Sequence, residues 1–320
     1  MPISTGTVEP IDYDGDGDLD LFVGGRLLPG KYPFAPSSYV LENKDGKFTK
    51  STANDVGNLG LVNDAVATDF DDDGDDDLIV VGEWTSVVFL ENEDGKLQQK
   101  KVAGTDGLTG WWFSVTEMDV NADGRPDYLL GNLGKNNKFK SNSKSQLKVH
   151  CSDFDDNGTF DIVLATEVDG RDFPVRGKQC STQQMPFLEE RFPTFHDFAM
   201  ADLAEIVGEE KLGESLSLEV TEFSSCLLIQ TDEGFVKVKL PRAAQIAPIR
   251  DAVSLDINDD GHLDIVAVGN LFNTEVETIR YDAGMGIVLL GDGTGKFEAV
   301  LSGDSGLMAR LDSRLSLIHI

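Results

Sequence analysis

Five times along this chain the same nine-residue acidic frame runs straight into a short apolar segment. The fullest copy is Asp69-Phe70-Asp71-Asp72-Asp73-Gly74-Asp75-Asp76-Asp77, followed by Leu78-Ile79-Val80-Val81-Gly82. Numbered 1 to 9, this loop carries Asp at 1, 3, 5 and 9 and Gly at 6. The first copy has Asp12, Asp14, Asp16, Gly17, Asp18 and Asp20 at positions 1, 3, 5, 6, 7 and 9. The third has Asp119, Asn121, Asp123, Gly124, Arg125 and Asp127, and the fourth has Asp153, Asp155, Asn157, Gly158, Thr159 and Asp161. The fifth has Asp256, Asn258, Asp260, Gly261, His262 and Asp264. A chain that repeats a loop-into-strand unit must stack the copies to bury their apolar faces, which restricts it to repeat architectures.

The spacing predicts a metal site. Side chains at 1, 3 and 5 of a tight loop converge on one point, and Gly at 6 lets the backbone turn around it. EF-hand loops open in the same way, with oxygen ligands at 1, 3 and 5 and a backbone carbonyl at 7. Here the loop closes at 9 and leads into a strand. Only Asp and Asn fill 1, 3, 5 and 9. These hard oxygen donors favour Ca²⁺, since Zn²⁺ would draw His or Cys and Mg²⁺ keeps its waters. Position 7 varies freely among Asp18, Asp75, Arg125, Thr159 and His262, as expected of a residue that offers its backbone carbonyl. A single acidic loop reads equally well as a solvated turn; five copies in one frame, each entering a strand, do not.

The chain has 320 residues and a net charge of −30, and 23 of its acidic residues are Asp within the five loops. Metal-free loops of this kind repel themselves; five bound calcium ions would neutralise ten charges. An acidic chain lacks the Lys and Arg cover that general nucleic-acid binding needs. Three cysteines, Cys151, Cys180 and Cys226, make no disulfide framework. No segment has the apolar length of a membrane helix, and the start MPISTGTVEP shows no signal peptide. A multi-site calcium scaffold nonetheless fits a secreted, periplasmic or cell-surface setting. The sequence reads as a fragment of a larger protein, because the first loop begins at Asp12 with almost no strand before it and the tail RLDSRLSLIHI abandons the repeat.

Taken in order, residues 12–50 read as loop, strand, long connection, strand, Lys-Asp-Gly turn, strand, and residues 61–100 repeat this. The segments YVLENKDGKFTK and VVFLENEDGKLQQK align without a gap, and GIVLLGDGTGKFEAV is a third version of the hairpin. Asp-Gly between alternating strands is a strong hairpin signal. The unit is therefore four short antiparallel strands over about fifty residues, the repeat length of a propeller blade. The fold class is all-β, a complete or partial β-propeller over residues 1–310, with 311–320 a disordered or non-native tail. The fourth loop is out of phase and reads as the tip of one long hairpin that need not open a blade. Residues 176–214 break the pattern and read as a helical insertion of two short helices separated near Pro193. Thr194 and Asp197 form a capping box there, and Phe195, Phe198, Ala199, Leu203 and Ile206 share one face. Its role is to cover a blade edge or, alternatively, to act as a partner-binding lid.

A loop of the form DxDxDGxxDL leading into a strand that ends in Gly resembles the FG-GAP/VCBS repeats of integrin-α-type propellers. WWFSVTEMDVNADGRPDYLLGNLG, YPFAPSSYVLEN and YDAGMGIVLLGDG look like bacterial VCBS repeat proteins that carry an ASPIC/UnbV domain, which would lie beyond the C-terminus. The resemblance spans most of residues 8–300. The Gly-Ala-Pro of the repeat's name is replaced by Gly24-Gly25-Arg26, Gly82-Glu83-Trp84 and Gly131-Asn132-Leu133, so the resemblance does not by itself imply integrin ligand specificity. The resemblance implies calcium in the loops on one face, ligand contacts on the opposite face, and no catalytic residues. It points to a non-catalytic binding or adhesion scaffold with a protein or glycan ligand.

Trp84, Trp111 and Trp112 are the aromatic candidates for ligand stacking, against core packing between blades. Lys135, Lys138 and their basic neighbours in an otherwise acidic chain could hold an anionic ligand such as an acidic glycan, or be a solvated loop. The alternative function is a polysaccharide lyase or hydrolase, for which Tyr281, Arg280, Arg26 and Lys138 are the candidates. The tetrapeptide Gly303-Asp304-Ser305-Gly306 matches the surroundings of a serine-protease nucleophile by chance, since no His has supporting context. Gly291–Lys296 precedes a strand and reads as a hairpin turn, not a phosphate loop.

Overall fold

The computed structural model describes residues 4–142, 144–274 and 278–314. The chain divides into two compact units, residues 1–137 with 223–320, and residues 138–222.

The first unit holds four antiparallel sheets of the propeller-blade type. Strands β1 (Ser4–Ile11), β2 (Asp20–Leu27), β3 (Tyr39–Lys44) and β4 (Lys47–Lys50) form the first, in chain order. The second repeats that order with β5 (Leu61–Thr68), β6 (Asp77–Ser86), β7 (Val88–Asn92) and β8 (Leu97–Lys100), and β9 (Thr109–Trp111) adds to β6. The third begins with β10 (Ser114–Met118) and β11 (Asp127–Gly131). The chain then leaves for the second unit and returns to complete the third sheet.

The second unit contains β12 (Leu147–Ser152), β13 (Asp161–Val168) and β14 (Arg171–Pro174). Five short helices follow: α1 (Lys178–Gln184), α2 (Leu188–Arg191), α3 (Phe195–Met200), α4 (Leu203–Val207) and α5 (Glu209–Glu214). Then comes β15 (Leu216–Val220), and the sheet order is β14-β13-β12-β15.

Back in the first unit, β16 (Cys226–Thr231) and β17 (Gly234–Lys239) finish the third sheet as β10-β11-β16-β17. A 3₁₀ turn (Arg242–Gln245) leads to the fourth sheet, β18 (Asp251–Leu255), β19 (Asp264–Val268), β20 (Ile287–Gly291) and β21 (Phe297–Val300). The helical turn α6 (Ser302–Ser305) ends the series.

In the second and third sheets the apolar runs after the acidic loops are continuous because β6 and β11 are buried on both faces, whereas β13 alternates buried and half-buried residues. Successive side chains point to opposite faces of a strand. In β6, Leu78 and Val80 join the core between the first and second sheets, while Ile79 and Val81 join the core between the second and third. In β11 and β16, Tyr128, Leu130, Cys226 and Leu228 face the second sheet, and Leu129 and Leu227 face the fourth. Each middle sheet is thus cemented to both neighbours, and a one-residue slip would exchange the two cores.

Several boundaries differ from the sequence reading. A full strand, Ser4–Ile11, precedes the first loop, so that loop does not start bare; its alternation of exposed and half-buried residues hid it. The helical stretch contains five helices. The expected single face from Phe195 to Ile206 is interrupted where Asp202 starts a new helix with a full capping box to Glu205. Thr194 does cap α3, accepting from Asp197 N at 3.1 Å, yet Phe195 points outward at 69% exposed. Phe198, Leu203 and Ile206 pack with Phe154, Val163 and Ala165, so the helices cover the face of the fourth loop's own sheet. The helices span Lys178–Glu214, within the expected 176–214, and belong to the compact unit of residues 138–222. The fourth loop does sit at the tip of a hairpin, with Ser152 paired to Asp161.

In the tail, residues 311–314 are placed: Asn270 Nδ2 donates to the carbonyls of Arg310 (3.3 Å) and Leu311 (3.2 Å), and Arg250 pairs with Asp312 at 3.3 Å. The rest of the expected disordered tail, 315–320, lies outside the described residues. The three cysteines form no disulfide with one another, and among the described residues no helix is long and apolar enough to cross a membrane.

Candidate metal centres

Each acidic loop joins an antiparallel pair: β1 to β2, β5 to β6, β10 to β11, β12 to β13 and β18 to β19. All five fold alike because their backbones bond to their own carboxylates. The position 1 carboxylate accepts from the glycine amide at 6, at 3.1 Å for Asp12, 3.0 Å for Asp69, 2.9 Å for Asp119, and 2.8 Å for Asp153 and Asp256. The side-chain oxygen at 5 accepts from the amide at 7 in every copy (Asp16, Asp73, Asp123, Asn157, Asp260). The glycine at 6 has positive φ throughout, from 85° at Gly124 to 95° at Gly74 within the middle copies. A side chain there would be strained.

Position 9 does more than close the loop. Asp20, Asp77, Asp127, Asp161 and Asp264 are all buried, at most 2% exposed. One oxygen accepts from the amide of position 2: Phe70 to Asp77 (3.2 Å), Val120 to Asp127 (3.0 Å), Phe154 to Asp161 (3.0 Å) and Ile257 to Asp264 (2.9 Å). The other accepts from the third strand of the same sheet: Asn43 to Asp20 (2.7 Å), Asn92 to Asp77 (2.7 Å), Gln230 to Asp127 (2.9 Å) and Gly291 to Asp264 (2.8 Å). In the first unit, one carboxylate therefore ties loop to sheet.

In the first, second and fourth loops, carboxylate oxygens at positions 1, 3 and 9 (Asp12, Asp14, Asp20; Asp69, Asp71, Asp77; Asp153, Asp155, Asp161) lie within 4.8 Å of one another. Such crowding is unfavourable without a cation. Burial, aided by the neighbouring carboxylates, pushes the Asp77 carboxyl up to about 7, and Asp127 and Asp161 up to about 6. Burial followed by Asp73 pushes Asp75 up to about 6. Among the described residues, the buried oxygens Asp12 Oδ1, Asp18 Oδ1, Asp20 Oδ2 and Asp75 Oδ1 have no hydrogen-bond partner. An all-oxygen set with orphaned buried acceptors fits a hard divalent cation. Asp18 and Asp75 hold position 7, where the sequence pointed only to a backbone carbonyl; their side chains are the added finding.

The third loop is the least anionic. Asn121 replaces a carboxylate, and the Arg125 guanidinium pairs with Asp123 at 2.9 Å and with Asp232 at 2.7 Å. Those hydrogen bonds hold the Asp123 carboxyl below its usual range. In the fifth loop, backbone and Asn258 hydrogen bonds lower Asp260 in the same direction. Arg125 occupies an oxygen that a metal would use. Substituting Arg125→Ala is expected to raise calcium affinity at this loop by roughly two- to fivefold, the yield of releasing an exposed ion pair. Calorimetric titration against the unsubstituted chain checks it, and an unchanged isotherm rejects it.

At the opposite strand ends the candidates separate. Trp112 is fully buried in the core between the second and third sheets. Trp84 is 3% exposed, donates Nε1–H to the Tyr32 hydroxyl, and meets the Trp111 ring edge-on at 5.0 Å. Neither leaves a ring face for a ligand. Trp111 is half-buried and packs edge-on against Phe223 at 5.5 Å. Arg280 lies over the Phe272 ring at 5.3 Å, and Lys138, in the second unit, lies over Phe139 at 5.2 Å. Arg26 pairs with Glu83, which also accepts from Tyr32 Oη at 2.7 Å. Tyr281 is buried, and among the described residues no hydrogen bond or ion pair joins Arg26, Arg280 and Tyr281. Lys135 instead lines a cavity with Lys239 and Arg242. That grouping follows from the pairing of β11 with β16 and of β16 with β17, which no sequence motif announces.

Comparison with curated proteins finds no match. A family model for the FG-GAP-like repeat matches twice, at residues 12–80 and 69–130, and so takes in the first three loops, strands β2 to β4 of the first sheet and the whole second sheet. Over that span the chain is built of FG-GAP-like repeats.

Proposed function

We propose that this chain is a calcium-loaded propeller-type scaffold that binds a protein or glycan ligand without turning it over, in a secreted or surface-exposed setting. The observation that carries this reading is the buried aspartate at position 9, which belongs at once to the metal loop and to the sheet. A metal placed there braces the fold, which is a structural use of calcium. A setting rich in calcium keeps such sites filled. The likeness to VCBS repeat proteins with an ASPIC/UnbV domain supports an adhesion or recognition role within a larger protein.

The test is retention without turnover. In calcium-replete buffer the protein, immobilised and challenged with a panel of polysaccharides and surface proteins, is expected to retain a ligand and to leave it chemically intact. Release of new reducing ends or unsaturated uronic products from a retained polysaccharide would assign an enzyme instead.

A further inference from the structure

At the end of the third sheet remote from its acidic loop, a cavity of about 550 Å³ is lined by Lys135, Asn136, Ser224, Lys239, Leu240, Arg242, Gln245 and Ile246. The register explains why these residues meet. Leu130 pairs with Cys226, and Cys226 pairs with Lys239, so the segment after β11, the segment before β16 and the end of β17 converge at one edge. All of them lie within the first unit.

The frame is held firmly. The Gln245 carbonyl accepts from the amides of Lys135 (2.8 Å) and Asn136 (3.2 Å). Its side-chain amide makes two bonds to the Ser225 backbone, at 2.9 and 2.8 Å. Gly134, at φ +81°, passes so near that a Cβ would stand 2.8 Å from the Gln245 carbonyl oxygen. Three chain segments are thus locked around one glutamine before any ligand arrives, and such preorganisation lowers the cost of binding.

The chemistry of the lining is one-sided. Lys135, Lys239 and Arg242 form no ion pair among the described residues, although the chain carries a net charge of −30 and acidic partners abound. With the Asn136 side chain they present hydrogen-bond donors, and Leu240 with Ile246 adds an apolar floor. Donors and positive charge around a cavity select anionic oxygens. An apolar floor beside them suits the carbon face of a sugar ring. The volume falls within the range of small-ligand sites.

We infer that this cavity binds a short acidic oligosaccharide, its carboxylate or sulfate held by Lys135, Lys239 and Arg242. The inference deepens the scaffold reading above and rests on it. A polyphosphate offers no sugar-ring carbon face of this kind to Leu240 and Ile246, and a long one is further repelled by the rest of an acidic chain.

The test uses the full chain in calcium-replete buffer, titrated with oligogalacturonate for carboxylate, a heparin-derived oligosaccharide for sulfate, neutral cello-oligosaccharide, and a single-stranded DNA oligomer of matched charge. Saturable binding of one or both acidic sugars is expected, and which one binds identifies the anion. The neutral sugar should not bind, and the DNA should bind more weakly. Lys239→Ala and Arg242→Ala are each expected to weaken binding about tenfold, as for loss of a charge-assisted hydrogen bond. Lys44→Ala, an exposed cation paired with Glu42, should change nothing. Melting temperature and its calcium shift should be unaltered in all three variants. Absence of acidic-sugar binding, binding insensitive to Lys239 and Arg242, or DNA bound equally well would overturn the inference. If the calcium shift is present while sugar binding is absent, this inference alone falls. If the calcium shift itself is missing, the scaffold reading falls with it.

Discussion

Calcium added to the metal-free protein is expected to raise its melting temperature by at least ten degrees or so, and EDTA is expected to reverse the rise. At about ten times its dissociation constant, each calcium ion stabilises by roughly 1.4 kcal/mol through mass action. Five loops together would then supply about 7 kcal/mol, which is comparable with the whole stability of an ordinary domain. The loops concentrate 23 of the chain's 57 acidic residues, and three of them hold carboxylates within 4.8 Å of each other. Simple salt would screen exposed charges but could not coordinate the buried oxygens of Asp12, Asp20 and Asp75. Sodium chloride at matched ionic strength should therefore give a small part of the effect. Magnesium should give less than calcium, because it resists multidentate oxygen cages. Differential scanning fluorimetry across these conditions is the measurement. A calcium shift no larger than that of sodium chloride would make the loops ordinary acidic turns.

The blades were legible because their signals are local and periodic. The acidic frame marks each loop, the continuous apolar run marks a strand buried on both faces, and Asp-Gly marks the outer hairpin. Strand β1 was missed because its residues alternate in burial without a strong apolar stripe. The helical stretch was legible as a break in the strand pattern, whereas the compact unit around it was not, because its sheet borrows the same acidic loop as the blades. Only the pairing of β12 with both β13 and β15 separates it. At the candidate site the acidic clusters were visible as a spacing, whereas the second task of position 9, pinning the third strand, is a tertiary fact. The same holds for Trp84 and Trp112, whose burial follows from how sheets stack, and for Lys239 and Arg242, which lie over one hundred positions from Lys135 in sequence.

Position 9 separates structural from metal-binding roles in one experiment. Asp77 is fully buried and its two oxygens accept from Asn92 N at 2.7 Å and Phe70 N at 3.2 Å. In Asp77→Ala both amides lose their acceptor in the interior, a cost of about 1–3 kcal/mol for each stranded group. The metal ligand is lost as well. The variant should therefore melt well below the parent even in EDTA, and recover only part of the gap with calcium. Asp71, at position 3 of the same loop, is exposed and offers its carboxylate to the same cluster. Asp71→Ala should leave the EDTA melting temperature unchanged or slightly higher, since it relieves repulsion, and should lose only a share of the calcium increment. Asp77→Asn keeps one acceptor oxygen but turns an NH₂ group toward the second amide, so it should fall between the two. If Asp77→Ala and Asp71→Ala melt alike in EDTA, position 9 is a ligand and nothing more. If they diverge as expected, the carboxylate supports the sheet before any metal binds, and calcium strengthens a frame the sequence has already built.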